Sequence, residues 1–129
     1  MDSFRVLLVD DEADFLQVLA TRLRRRGLEV AGVSSGALAL AHLAEHAVDV
    51  VVLDVRMPGE DGIETLKVIK ARHPDVQVVV LTGFADGATA VRVMKLGAFD
   101  YMMKPAHLDE LLTRLQDAYL HKTVDPDLD

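Results

Sequence analysis

Residues 48–54 read VDVVVLD, a nearly continuous apolar run that ends in a carboxylate. Its β-branched side chains barely alternate with polar ones, which is typical of a parallel strand that is covered on both faces. Four other runs of the same character recur along the chain at intervals of roughly two dozen residues. The five runs comprise residues 4–9, 28–33, 48–53, 76–81 and 98–103. They predict five buried strands.

Segments with helical spacing separate these runs. Phe15, Leu19 and Leu23 share one face of a predicted first helix, and Gly27 is expected to end that helix in a left-handed backbone conformation. The arginines at positions 24–26 suit the negative end of the helix dipole. Because the rest of the chain is acidic, we interpret these arginines as capping residues and not as a nucleic-acid patch.

Capping and stop residues bound the remaining helices. They are Ser34 or Ser35 for the second helix and Asp61 with Glu64 for the third; the fourth helix is expected to run from about Asp86 to Leu96 and to end at Gly97. A fifth helix carries an apolar stripe from Leu108 and is expected to end near His121. The alternation predicts an α/β fold, a doubly wound, flavodoxin-like parallel sheet of order 2-1-3-4-5 with helices on both faces. The predicted domain comprises residues 1–121, and residues 122–129 form an acidic tail that frays.

The composition of this 129-residue chain excludes several classes of protein. The absence of cysteine removes disulfides and zinc–thiolate sites. No apolar run is long enough to span a membrane, and the acidic start lacks the pattern of a signal peptide. A formal net charge of −7 disfavours direct binding to nucleic acid. We therefore expect a soluble, cytoplasmic domain.

Polar side chains follow the predicted strands at the edge where ligands bind in this topology. They are Asp10 and Asp11 after the first strand, Asp54 after the third, Thr82 after the fourth and Lys104 after the fifth. Each residue alone has a simpler explanation, such as helix capping, a turn or a solvated lysine. Together, carboxylates that converge beside one lysine require a cation or a bound anion to compensate the charge. The hard oxygen ligands predict Mg²⁺ (or Mn²⁺).

Four motifs connect these positions, namely VDDE at 9–12, LDVRMPGEDG at 53–62, LTG at 81–83 and GAFDYMMKP at 97–105. In this combination and spacing, the chain resembles the receiver domain of bacterial two-component response regulators over residues 4–121. The resemblance implies a phosphorylation-dependent signalling switch, which assists its own phosphorylation and dephosphorylation but is not an enzyme acting on a separate substrate. It implies a sensor histidine kinase or a phosphotransfer protein as the phosphodonor.

The resemblance also implies a phosphoacceptor and a metal site. Asp54 is the expected phosphoacceptor. Asp10 and Asp11 are expected to serve a magnesium site, Asp11 as a direct ligand, together with Asp54 and the carbonyl oxygen of Arg56. This assignment agrees with the chemistry, because a carboxylate that attacks a phosphoryl group needs both negative charges screened.

Further roles follow from the same resemblance. Thr82 and Lys104 are expected to bind phosphoryl oxygens, and Tyr101 is the expected aromatic switch residue, which moves when Thr82 moves. The Lys104–Pro105 peptide bond is expected to be cis, against the general preference for trans. The alanine at position 106 is a departure, because many relatives carry phenylalanine there.

Two further predictions concern signalling. The fourth helix, fifth strand and fifth helix are expected to form the signalling surface and a possible homodimer interface. Candidate contacts on it are Ala88, Val91, Lys95 and Asp100. Arg56 and Phe84 are expected to flank the path of the attacking water, where neither accepts a proton, so the phosphorylated state is expected to be long-lived.

Two alternative functions share some of these features. An aspartyl-phosphate phosphatase needs an acid two residues after its nucleophile, and this chain has Arg56 there. An FMN-binding flavodoxin-like domain shares the topology but needs an anion-binding loop after the first strand. Three consecutive acids, residues 10–12, repel a phosphate at that position.

Overall fold

Strands and helices alternate along the whole of the chain that the computed structural model describes, residues 3–83 and 86–123. The strands are β1 (Arg5–Val9), β2 (Glu29–Val33), β3 (Val50–Leu53), β4 (Gln77–Thr82) and β5 (Asp100–Met103). The helices are α1 (Ala13–Arg25), α2 (Gly36–Glu45), α3 (Gly62–Arg72), α4 (Gly87–Lys95) and α5 (Leu108–Thr123). All strand pairs are parallel, in the order β2-β1-β3-β4-β5, which confirms the predicted α/β fold.

The sheet buries side chains on both faces. Val6 and Leu8 of β1 pack in one core with residues of α1 and α5, such as Leu23 and Leu115. The intervening residues of β1 belong to the opposite core, which includes residues of α2, α3 and α4. Because neighbouring residues of a strand point to opposite faces, this division explains why the strand sequences are almost wholly apolar.

The predicted helix boundaries agree with the backbone. Gly27 and Gly97 adopt φ values of +91° and +104°, in the left-handed region that favours glycine. The side chains of Ser35, Asp61 and Asp86 accept hydrogen bonds from backbone N–H groups at the starts of their helices. These residues fix where each helix begins, and so where each loop of the carboxyl edge ends.

Two details differ from the sequence prediction. The Glu64 carboxylate forms an ion pair with Lys67 at 3.8 Å, so the described bonds include only the Asp61 half of the predicted capping box. Helix α5 continues to Thr123, beyond the expected end near His121. Its last turn is held by Lys122 Nζ, which donates to Asp49 Oδ1 at 2.7 Å. Most of the predicted tail, residues 124–129, lies outside the described residues.

No helix within residues 3–83 and 86–123 combines the length and apolar character that crossing a membrane requires.

Candidate functional site

The carboxyl edge of the sheet brings together residues that are far apart in sequence. Asp10 and Asp54 directly follow β1 and β3, and their backbone N–H groups donate to Val33 and Val9 at 3.1 and 3.0 Å. These bonds continue the sheet pattern past the strand ends, so the backbone of both aspartates is held in register. Both carboxylates are buried at this edge.

Lys104 crosses this edge and reaches three carboxylates. Its Nζ lies 2.5 Å from Asp10 Oδ2, 3.1 Å from Glu12 Oε1 and 3.2 Å from Asp54 Oδ2. The lysine side chain is only 11% exposed, and its ammonium also lies 4.3 Å from the centre of the Phe15 ring. The ammonium therefore compensates part of the negative charge that these three carboxylates bring to the edge.

The charges of this cluster depend on one another. Burial is the largest influence on Asp10 and raises the pKa of its carboxyl, against the hydrogen bonds from Lys104 and from the Glu12 backbone. Burial disfavours the charged form of Lys104, but hydrogen bonds to Asp10 and Glu12 and the negative charge of Asp54 outweigh it. These contacts raise the pKa of Lys104 above its usual range, so the lysine is a permanent cation at neutral pH.

The donor set fits a hard divalent cation. One carboxylate oxygen from each of Asp10, Glu12 and Asp54 lies within 4.8 Å of the others. Oxygen ligands in this number, with room left for water, suit Mg²⁺. Asp11 is exposed and does not belong to this group, so its predicted role as a direct ligand, like that of the Arg56 carbonyl, stays a prediction.

Glu12 is the residue that sequence reasoning did not assign to the site. It occupies the N-cap position of α1, yet its side chain makes no capping hydrogen bond and pairs with Lys104 instead. Its position as a third consecutive acid after β1 is the signal that could have indicated a role. How the chain turns into α1 determines which of the two adjacent acids, Asp11 or Glu12, reaches Lys104.

Thr82 ends β4 with its side chain fully buried. Within residues 3–83 and 86–123, its hydroxyl oxygen has no hydrogen-bond partner, although buried hydroxyl groups are nearly always paired. The backbone N–H of Lys104 donates to the Thr82 carbonyl at 2.8 Å, so the two residues expected to bind phosphoryl oxygens are joined. An unsatisfied donor at this edge favours an oxygen-rich ligand.

The remaining predicted residues surround this centre. Tyr101 lies half-buried on β5, next to Val80 in the register of β4, and packs against the core. Arg56 is exposed, and its backbone N–H donates to Asp54 Oδ1 at 2.8 Å. The Lys104–Pro105 bond is cis, which confirms that prediction. Phe84 lies outside the described residues.

One known protein family matches most of the chain. Residues 6–116 match the family model described as the response regulator receiver domain. The chain belongs to this family. The receiver domain is a signalling switch of the two-component type, and the predicted family and fold are both confirmed.

Individual relatives agree with this assignment. The transcriptional regulatory protein ZraR of Escherichia coli K12 is 41% identical over 120 residues, which cover 93% of this chain and 27% of ZraR. The DNA-binding transcriptional regulator NtrC of the same organism is 40% identical over 116 residues, 90% of this chain and 25% of NtrC. The receiver domain therefore spans only about a quarter of the length of these curated relatives.

Solved structures match the receiver domain over almost its whole length. A response regulator receiver domain protein from Clostridium thermocellum has a TM-score of 0.87 and 35% identity, and the match covers 92% of this chain and 96% of that one. The beryllofluoride-activated NtrC4 receiver domain dimer has a TM-score of 0.86 and 33% identity, with coverage of 92% and 98%. These matches do not favour the phosphatase or the flavin-binding alternative.

Proposed function

We propose that this receiver domain switches when Asp54 takes a phosphoryl group from a phosphohistidine of a sensor kinase or phosphotransfer protein. The observation that carries this proposal is the contact of Lys104 Nζ with Asp54 Oδ2 at 3.2 Å, at the same edge of the sheet as Thr82, whose hydroxyl lacks a described partner. A nucleophile, a fixed cation and a free donor thus meet at one edge. These are the groups that phosphoryl transfer to a carboxylate needs.

The transfer is a displacement at phosphorus. An oxygen of the Asp54 carboxylate bonds to the phosphorus while the phosphorus–nitrogen bond of the donor breaks, and its electron pair returns to the imidazole nitrogen. The Arg56 backbone N–H holds Asp54 Oδ1 at 2.8 Å, which fixes the orientation of the carboxylate. Lys104 supplies positive charge where the phosphoryl oxygens arrive.

A divalent cation completes this charge balance. Mg²⁺ or Mn²⁺, held by Asp54 with Asp10, Asp11 and the carbonyl of Arg56, would screen the nucleophile and the phosphoryl group from each other. The carboxylates of this edge would hold that ion, and burial of Asp10 and Asp54 limits competition from water. Lys104 remains protonated throughout, so it acts by charge and not by proton transfer.

The conformational response begins at Thr82. Its buried hydroxyl gains a partner when a phosphoryl oxygen arrives, which favours a Thr82 position closer to Asp54. Movement of Thr82 leaves space beside β5, where Tyr101 is half-buried. A shift of Tyr101 toward that space couples the acidic edge to the surface formed by α4, β5 and α5.

That surface carries apolar side chains suited to a partner. Val91 and Met94 of α4 are 55% and 44% exposed. Asp100 on β5 and Arg114 on α5 form an ion pair at 2.5 Å that joins the two elements. We propose this surface, with Ala88, Val91, Lys95 and Asp100, as the site of signalling contacts or of a homodimer.

Phosphorylation should perturb the amide NMR signals of this surface, and changes confined to the Asp54 loop would contradict the proposal.

The phosphoacceptor is tested by mass spectrometry of the intact protein after incubation with acetyl phosphate and Mg²⁺. Wild-type protein should gain one phosphate, and Asp54→Asn should gain none. Asp75→Asn is a matched control, because Asp75 is an exposed aspartate that precedes β4 at the other end of the sheet. Equal labelling of Asp54→Asn would show that another residue is the acceptor.

A further inference from the structure

The contacts of Lys104 carry an inference about Glu12, which rests on the proposed function. We propose that Glu12 is a positioning residue that holds the Lys104 ammonium in the unphosphorylated receiver and yields it to the phosphoryl group. Glu12 would thereby set how readily Asp54 is phosphorylated, without itself touching the reacting atoms.

The Lys104 ammonium has no hydrogen-bond donor to spare. A lysine ammonium has three N–H donors and no acceptor. Lys104 Nζ lies within 3.2 Å of one oxygen each from Asp10, Glu12 and Asp54, so three carboxylates already satisfy it. A phosphoryl oxygen that binds Lys104 must therefore replace one of these partners.

The three carboxylates differ in how easily they can give up the contact with Lys104. The side chains of Asp10 and Asp54 are each 5% exposed, whereas the Glu12 side chain is 64% exposed. Until the bond to phosphorus forms, Asp54 keeps its negative charge, and a buried carboxylate that loses its contact with Lys104 gives up more stabilisation than an exposed one, even beside the divalent cation proposed above. An exposed carboxylate regains water when it is released. Glu12 is accordingly the partner that exchanges.

The Glu12 carboxylate has other partners available once it leaves Lys104. At the N-cap of α1 its side chain accepts no hydrogen bond from the helix, although unpaired N–H groups lie at that end of every helix. Its own backbone N–H is held by Asp10 Oδ1 at 2.9 Å, which keeps the residue beside the site. Once released, the carboxylate can bind water or cap α1, so release leaves no buried group unsatisfied.

A further contact explains why Lys104 stays in place when Glu12 leaves. The ammonium lies 4.3 Å from the centre of the Phe15 ring, a separation typical of a cation–π contact. Together with Asp10, this ring retains the lysine at the edge. Loss of the Glu12 contact should therefore free a donor of Lys104 without displacing the side chain.

The test compares Glu12→Ala, Glu12→Asp and Asp14→Ala. The alanine variant removes the contact with Lys104. The aspartate variant keeps the charge but is shorter by one carbon–carbon bond, about 1.5 Å, so it cannot reach the ammonium. Asp14→Ala is the matched control, because it removes an acid from the first turn of α1 that has no ion pair among the described residues. The initial rate of phosphorylation by acetyl phosphate is measured for each at saturating Mg²⁺, with saturation verified by titration.

We expect Glu12→Ala and Glu12→Asp to be phosphorylated about two- to fivefold faster than wild type, the range that loss of an exposed ion pair supports. Asp14→Ala should match wild type. Equal or slower rates in Glu12→Ala would overturn the proposal. A Glu12→Asp rate equal to that of wild type would also overturn it, since charge and not contact would then be the cause.

A second measurement is independent of phosphorylation. The Lys104 ammonium protons should exchange with water faster in Glu12→Ala than in wild type, as followed by ¹H–¹⁵N NMR without phosphodonor. Unchanged exchange would contradict the holding role. If the wild-type protein takes up no phosphate at all, the proposed function fails, while the exchange measurement still decides whether Glu12 holds Lys104.

Discussion

The backbone N–H of Lys104 donates to the carbonyl oxygen of Thr82 at 2.8 Å, so the two residues expected to bind phosphoryl oxygens are fixed to each other by the sheet. Their side chains differ in whether they have bonding partners. The Lys104 ammonium has three carboxylate neighbours, whereas the Thr82 hydroxyl has no partner within residues 3–83 and 86–123. The backbone therefore holds the geometry, and the Thr82 side chain is the element that phosphorylation can reorganise.

Replacing Thr82 by valine should stabilise the unphosphorylated protein or leave it unchanged. Valine has nearly the same shape and removes a buried hydroxyl whose desolvation no described hydrogen bond offsets, so a gain of up to about 1 kcal/mol is expected in urea unfolding. Thr65→Val is the control, because the buried Thr65 hydroxyl donates to the Asp61 carbonyl at 3.4 Å. The Thr65→Val variant should lose stability, because it removes this hydrogen bond. A loss in Thr82→Val as large as in the control would mean that the hydroxyl is satisfied.

Gly62 at the start of α3 should tolerate no side chain. A Cβ atom there would lie 2.4 Å from the Cα and 2.6 Å from the carbonyl oxygen of Val55, the residue after Asp54. Because the obstacle is backbone, Gly62→Ala should cost about 3 kcal/mol of unfolding free energy or more and disturb the phosphoacceptor loop.

Gly87 provides the matched comparison for Gly62. It is also the first residue of its helix, and nothing lies within 4 Å of a Cβ added to it. Gly87→Ala should therefore stabilise the protein by about 0.4–1 kcal/mol, by restricting the unfolded chain. Thermal and urea unfolding measure both variants, and equal effects of the two would contradict the packing argument.

Asp49 should make stability depend on acid pH. Burial of this carboxyl favours its neutral form, but hydrogen bonds from Lys122 and from the Arg5 backbone outweigh that effect and lower its pKa. A carboxyl with a lowered pKa in the folded state stabilises the protein above its unfolded pKa, and the contribution is lost as the pH falls below about 4.

The Asp49→Asn variant isolates this contribution. At pH 7 it should be less stable than wild type by about 2 kcal/mol, since charged hydrogen bonds are lost. The difference should shrink as the pH is lowered from 5 toward 2, as measured by unfolding at each pH. A difference that is constant with pH would exclude titration of Asp49 as its source.

Arg56→Asn should shorten the life of the phosphorylated state. Arg56 follows the phosphoacceptor by two residues and is exposed, where a guanidinium can pair with a phosphoryl oxygen but cannot accept a proton from water. An asparagine can orient water, so decay of the phosphoprotein in Mg²⁺ should be faster. Arg72→Asn, at the end of α3, is the control. Unchanged decay in Arg56→Asn would exclude this role for its side chain.

The fold was predictable because its signals are local. Apolar runs define the strands, and residues such as Gly27, Asp61 and Gly97 end or begin helices through their own backbone preferences or side-chain bonds. Parallel topology then brings the strand ends to one edge, which is why Asp10, Asp54 and Lys104 were predicted to meet.

The unpredicted details depend on tertiary structure. Asp11 and Glu12 are adjacent acids, and only the turn into α1 determines that Glu12 reaches Lys104. In the extension of α5 beyond His121, Lys122 pairs with Asp49, which is 73 residues away in sequence. Sequence spacing contains no direct signal for either contact.

Asp49 joins two distant parts of the chain at one point, since it accepts hydrogen bonds from the Arg5 backbone at 2.8 Å and from Lys122 Nζ at 2.7 Å. Residue 49 precedes β3 and residue 54 follows it, so this point lies about 16 Å from the phosphoacceptor along the strand. In a biosensor made by inserting the domain into a loop of a fluorescent protein, the two linkers would therefore attach to the domain near one point, beside Arg5 and Lys122. Its reporter would sit at the far end of the sheet, where it leaves the acidic edge accessible to a kinase.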